Sequence, residues 1–171
     1  MKIARSFKKG LMSTTDANVG WGMMIGGLAL VVIVAGVLVY KMATASDMTT
    51  YATVLTETKN FRPSNGYGTA DYVPTLINAQ VLPKSVSIQS NKIYNKSGGE
   101  ITVVGAGVGF TMTTQKVSQG DCISSAQRYS VLDMQSTKIN GTSFSGEVTA
   151  PDANAACTSG NTNTLAFTTN S

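Results

Sequence analysis

Trp21 to Tyr40, WGMMIGGLALVVIVAGVLVY, is a run of twenty residues without a charge. As a helix it rises about 30 Å, the thickness of a bilayer's hydrocarbon core. Lys2, Arg5, Lys8 and Lys9 precede it, and Lys41 closes it. The positive charges before the run place residues 1–20 in the cytoplasm and the domain that follows outside. Asp16 does little against this, because acidic residues weigh weakly in the rule.

The net charge of +4 is concentrated in this leader. The first twenty residues hold four basic side chains and one acidic one, and the remainder is near neutral at +1. No basic surface for nucleic acid is therefore indicated. There is no histidine, so the usual general base and the commonest metal ligand are missing.

Residues 1–20 lack the apolar core of a secretory signal, and the apolar run begins immediately after Gly20. Two processing orders remain open. A cut before the run leaves the run on the mature chain. A cut after Ala43 or Ala45, within Met42-Ala-Thr-Ala45, removes it.

Beyond Lys41 the hydropathy falls while helical spacing continues through Met48, Tyr51, Ala52 and Leu55. The spacing predicts one helix from about Trp21 to Asn60, apolar all round in its first half and amphipathic in its second. Arg62-Pro63-Ser64-Asn65-Gly66 ends it. Residues 61–96 read as a connecting region. In it, Asp71 caps a short helix over Val73–Val81, ended by Leu82-Pro83, and Val86, Ile88 and Ile93 suggest extended chain.

Residues 100–117 alternate as a β-hairpin, with Gly105-Ala106-Gly107 as its turn. Asp121 is placed as the N-cap of a helix from Cys122 to about Tyr129, with Ile123 and Ala126 facing inward. Residues 130–150 read as strands around turns, with Asn140-Gly141 the clearest hairpin signal. Pro151–Asn163 reads as loop, and Leu165 and Phe167 alternate in a last strand.

Cys122 and Cys157 are the two cysteines. Both fall in the part placed outside the cytoplasm, where an even count suggests one disulfide; two buried free thiols are the alternative. A bridge would close a loop of roughly 36 residues, worth about 3–4 kcal/mol in the chain-entropy model. No C-x-x-C occurs, so the bridge reads as structural.

No enzyme is legible. Asp71, Glu100, Asp121, Asp133, Glu147 and Asp152 are scattered, and the serines lack a histidine partner. The S-x-x-K from Ser6 to Lys9 lies inside the leader. No cofactor is implied.

A short basic leader ending in glycine, an apolar helix, a polar-ended stalk, a β-rich domain and a late cysteine pair together resemble a type IV prepilin. The chain resembles the type IVb class in particular. Its landmarks are Leu82-Pro83, Ser97-Gly98-Gly99-Glu100-Ile101-Thr102-Val103, Val117 through Cys122, and Cys157 with Leu165–Phe167. They are similar to those of major pilins of conjugative thin pili and enteric colonisation pili. The resemblance implies an α+β type IV pilin fold, in which a long N-terminal helix packs on an antiparallel sheet through its C-terminal half. It implies a leader at 1–20, a helix at 21–60 (membrane span 21–40, stalk 41–60) and a head at 61–171.

The same resemblance implies a prepilin peptidase cut at Gly20-Trp21, with Gly22 as a second candidate for the residue before the cut. It implies pilus assembly machinery as a partner, and an inner-membrane precursor that becomes a surface filament of identical subunits. Trp21, Gly22, Ile25, Gly26, Gly27 and Gly36 would then pack helix against helix, small residues allowing close approach. Gly36 also marks a point where the helix could unwind, since glycine weakens a helix interior. One departure stands out: most of the family has glutamate at the fifth mature position, where this chain has Ile25. Two rival readings are a minor pilin or pseudopilin, and an uncleaved membrane-anchored binding protein.

Overall fold

A computed structural model describes residues 47–170, which lie within one compact unit, Ala45–Ser171. Helix α1 spans Asp47–Asn60 and ends before Pro63, as the sequence leads one to expect. Its inward stripe is Asp47, Thr50, Tyr51, Val54, Leu55 and Thr58. That differs from the predicted stripe, for Ala52 is exposed while Thr50 is buried. Polar residues take inward positions because their bonds are met. Asp47 Oδ1 accepts from Lys96 N–H at 3.0 Å, and Thr58 Oγ1 donates to the Val54 carbonyl at 2.7 Å.

Helix α2, Val73–Asn78, is shorter than predicted. Its carbonyl end is closed by Ala79 and by Gln80 at φ +56, before Leu82-Pro83 is reached. Asp71 Oδ1 does accept from the Val73 N–H at 2.9 Å, from one position before the formal cap, Tyr72. Strands β1 (Ser87–Gln89) and β2 (Lys92–Tyr94) pair antiparallel around Ser90 and Asn91, both at positive φ.

Strands β3 (Glu100–Ala106) and β4 (Gly109–Val117) form the predicted hairpin, but its turn is Gly107-Val108. Gly105 belongs to the strand. A Cβ there would lie 2.4 Å from the Tyr67 carbonyl oxygen, so glycine serves a close crossing of backbones rather than the turn.

Helix α3 spans Gln119–Ser130, with Ser118 as its N-cap instead of Asp121. Ser118 Oγ accepts from Asp121 N–H at 3.2 Å and donates to Asp121 Oδ2 at 2.7 Å, a reciprocal cap that sets Asp121 inside the first turn. Ala126 is buried as predicted, whereas Ile123 is only partly so. Strands β5 (Met134–Ile139) and β6 (Thr142–Phe144) turn at Asn140-Gly141, φ +48 and +96, as the sequence signals.

The stretch read as loop contains a helix, α4 (Ala150–Ala156), capped by Thr149 and started by Pro151. Strand β7, Asn163–Thr169, follows. The seven strands form one antiparallel sheet in the order β1-β2-β3-β4-β7-β5-β6.

Alternation decides the sheet's two faces. Ile101, Val103, Phe110, Met112, Ile139, Leu165 and Phe167 are fully buried on the inner face, in one core with Tyr51 and Val54 of α1. The intervening Thr102, Thr111, Thr113 and Thr168 are half-buried on the other face. The Thr111 and Thr168 hydroxyls bond across strands at 3.0 Å. Edge-on aromatic contacts tie α1 to the sheet through α3: Tyr51 meets Tyr129 at 6.5 Å, and Tyr129 meets Phe167 at 5.5 Å.

Candidate functional site

Cys122, in the first turn of α3, is bonded to Cys157 at the end of α4, S–S 2.00 Å, across 35 positions. Around Cys157 a side-chain network fixes the same corner. Asn163 Nδ2 donates to the carbonyls of Val117 (3.0 Å) and Thr158 (2.8 Å). Its Oδ1 accepts from Thr158 N–H and from Asn140 Nδ2, each at 2.7 Å. Asn140 Nδ2 also donates to the Ala156 carbonyl at 2.9 Å, and its Oδ1 accepts from Thr164 N–H at 2.9 Å. The hairpin turn, the end of α4 and the start of β7 are thereby held as one piece.

A second network runs under α1. Asn95 Nδ2 donates to Thr114 Oγ1 (3.1 Å) and to the Gln115 carbonyl (2.6 Å), and its Oδ1 accepts from Gly99 N–H (2.7 Å). Thr114 Oγ1 donates in turn to the Tyr51 hydroxyl at 3.1 Å. Burial pushes the Tyr51 phenol up to about 12 against the opposing pull of the Thr114 bond. Burial also raises the Asp47 carboxyl, aided by Asp121 and opposed by the Lys96 N–H and ammonium. Burial raises the Tyr129 phenol, whose hydroxyl donates to the Met48 carbonyl.

These groups are interior and serve packing. Among the described residues no group of three or more His, Cys, Asp or Glu is placed to hold a metal. What the surface offers is relief. A polar cleft of about 360 Å³ lies between the start of α1 and the β1–β2 hairpin, lined by Asp47, Thr50, Gln89 and Tyr94 among others. An apolar hollow of about 330 Å³ lies between α2 and β1, lined by Ile77, Leu82, Pro83, Val86 and Ile88. Val131 and Leu132 stand exposed where α3 turns into β5.

Residues 41–170 match the family model described as PilS N terminal. The crystal structure of the type IVb pilin from Salmonella typhi is 31% identical, with a TM-score of 0.61, over 72% of this chain and 97% of that one. The chain belongs to the type IVb pilin family. An NMR structure of the type IVb pilin PilS from Salmonella typhi is 34% identical over 74% of this chain and 94% of that one, with a TM-score of 0.48. Curated protein sequences give no match.

The expected pilin fold is thus the fold of this chain, an α1 helix laid on an antiparallel sheet. The family is one of structural subunits. Of the site residues expected from sequence, this pilin's Cys122 and Cys157 are brought together. Gly20, Trp21, Gly22, Ile25, Gly26, Gly27 and Gly36 lie outside the described residues. The expected membrane span at 21–40 lies outside them too, and among the described residues no helix is long and apolar enough to cross a membrane. Sequence reasoning missed the Val131-Leu132 pair as a surface feature. The signal was two adjacent aliphatic residues directly before Asp133, inside a stretch already marked by turns.

Proposed function

We propose that this chain is the major subunit of a type IVb pilus that serves conjugative cell contact or adhesion. The observation that carries the reading is an order of parts: a basic leader ending in Gly20, an uncharged run from Trp21 to Tyr40, then a head of the type IVb pilin family. In this reading the precursor waits in the inner membrane with its leader in the cytoplasm. A prepilin peptidase cuts between Gly20 and Trp21, glycine giving close backbone access.

With the assembly machinery acting, the Trp21–Tyr40 segment then leaves lipid and packs against the same segment of neighbouring subunits. One apolar environment replaces another, so the transfer is near balance, and helix packing through Gly22, Gly26, Gly27 and Gly36 with head contacts favours the filament. Ile25 removes the need to neutralise a buried carboxylate in the filament core, where an isolated charge is costly. Subunit register must then come from shape and from the heads.

Mass spectrometry of filaments sheared from the cell surface tests this. The expected result is an abundant chain that begins at Trp21. Full-length chain confined to membranes would sink the reading, and would leave an uncleaved anchored protein in its place. A Trp21 chain present only in trace amounts in filaments built of another pilin would make it a minor subunit.

A further inference from the structure

Two exposed apolar features of the head are complementary, and they lie too far apart to meet within one chain. The first is a knob. Helix α3 ends at Ser130, and Val131, Leu132 and Asp133 turn the chain into β5. Val131 is 56% exposed and Leu132 48%.

Their turn is held firmly. Leu132 N–H donates to the Tyr129 carbonyl at 3.0 Å, and Asn170 Nδ2 donates to Asp133 Oδ1 at 3.0 Å. Asp133 sits at φ +30, a conformation that costs a residue with a Cβ. The fold thus spends strain to hold two aliphatic side chains in water.

The second feature is the hollow of about 330 Å³ lined by Ile77, Leu82, Pro83, Val86 and Ile88, with Lys84 among its walls. Its volume is ample for two branched aliphatic side chains. Ile88 is 46% exposed on β1, an edge strand. Lys84 is exposed, as is Asp133. The ion pair found among the described residues is Lys92–Glu100, so neither of these two charges has an opposite partner there.

The socket is built on β1 and the knob leads into β5, five strands away in the sheet order. At ~4.8 Å per strand that is about 24 Å. We propose that the Val131-Leu132 knob of one subunit seats in the Ile77–Leu82–Ile88 socket of the next, with Asp133 of the first pairing with Lys84 of the second. The proposal rests on the filament reading above and names the head contact within it. Joining two different patches makes a heterologous interface, which runs on as a filament when its rotation does not close. The charge pair gives the contact its direction and register, a task that Ile25 cannot perform through charge.

The test uses the full chain expressed in piliated cells. The double variant Lys84→Cys with Asp133→Cys, mildly oxidised, should give a ladder of covalent dimers, trimers and higher species from sheared filaments on a non-reducing gel. Each single variant should give no ladder. The two positions cannot bridge within one chain, since a disulfide needs Cα atoms closer than about 7 Å. Asp133→Lys should lower the sheared-filament yield at least tenfold, while the Cys122–Cys157 bridge still forms. Adding Lys84→Asp to it should restore the yield.

A Leu132→Ser chain that piliates like the parent, together with no ladder from the double cysteine variant, overturns the proposal and leaves the pilus reading standing. A parent chain that makes no filaments overturns both.

Discussion

Thr114 on β4 donates its hydroxyl proton to the Tyr51 phenol on α1, 3.1 Å away and 63 positions earlier in the chain. This bond joins helix to sheet at a fully buried site. It also links stability to alkaline pH. The phenol is raised to about 12 by burial, above its ordinary value of 10. A phenol protonated in the fold and ionised in the unfolded chain favours unfolding as pH rises from about 10 towards 12. Urea denaturation should therefore show stability falling across that interval, by up to ~2.7 kcal/mol at the far end for two pKa units. Tyr51→Phe should remove this part of the slope and cost about 1–2 kcal/mol at neutral pH, where Thr114 loses its acceptor.

Asp47 acts at the other end of the pH scale. Its carboxyl is raised mainly by burial, so the folded chain holds the proton more tightly than the unfolded chain does. The folded state is therefore favoured at low pH and loses that advantage as pH rises through the raised value. Asn at this position keeps an oxygen for the Lys96 N–H. Asp47→Asn should be more stable than the parent at pH 7, with the difference vanishing below pH ~3.9, the unperturbed carboxylate value. A parallel pair of melting-temperature profiles against pH would contradict the assignment.

The Cys122–Cys157 bridge closes a long loop, and its removal should destabilise the head by about 3–4 kcal/mol. Asn163 holds the same corner by hydrogen bonds alone. Asn163→Ala leaves the carbonyl of Val117 and the N–H of Thr158 without their partner, at ~1–3 kcal/mol for the buried carbonyl and less for the Thr158 N–H, which water can reach. Equilibrium unfolding of the two single-defect chains and their combination should show a clear departure from additivity, because both defects loosen one junction.

Gly99 is buried where β2 gives way to β3, and a Cβ there would come within 1.7 Å of the Gln115 carbonyl oxygen. The obstacle is backbone of β4, which cannot swing aside as a side chain would. Gly99→Ala should cost more than about 2 kcal/mol, beyond the middle of the overpacking range. Gly120→Ala, where nothing lies within 4 Å, should be neutral or slightly stabilising in its helix. Chemical denaturation of both chains side by side makes the comparison.

Hydropathy period carries α1, the β3–β4 hairpin and β7, because each has enough apolar residues to mark its inward side. It places the α1 stripe wrongly where Asp47, Thr50 and Thr58 face inward, since burial of a polar group depends on partners that hydropathy does not encode. It passes over α4 for a different reason. Ala150–Ala156 spans two turns and buries Ala153 alone, so no apolar stripe exists to be read. Its signature is instead local: Thr149 and Asp152 bond reciprocally, as Ser118 and Asp121 do at α3. Gly105 and Asn91 illustrate a third limit. One glycine that looks like a turn is a strand crossing, and one Ser-Asn pair with no glycine is a turn. Of the candidate surface, the disulfide corner was legible because cysteines announce themselves. The knob and socket were not, because Val131 and Ile88 look like core residues until the fold leaves them outside.

Strand β7 comes after every other strand in sequence yet lies inside the sheet, between β4 and β5. Until it arrives, β1–β4 and β5–β6 are two separate ribbons, each with a bare inner edge. Such edges invite pairing with other chains. A chain cut short before Asn163 lacks the strand that joins the two ribbons and leaves both edges open to such pairing.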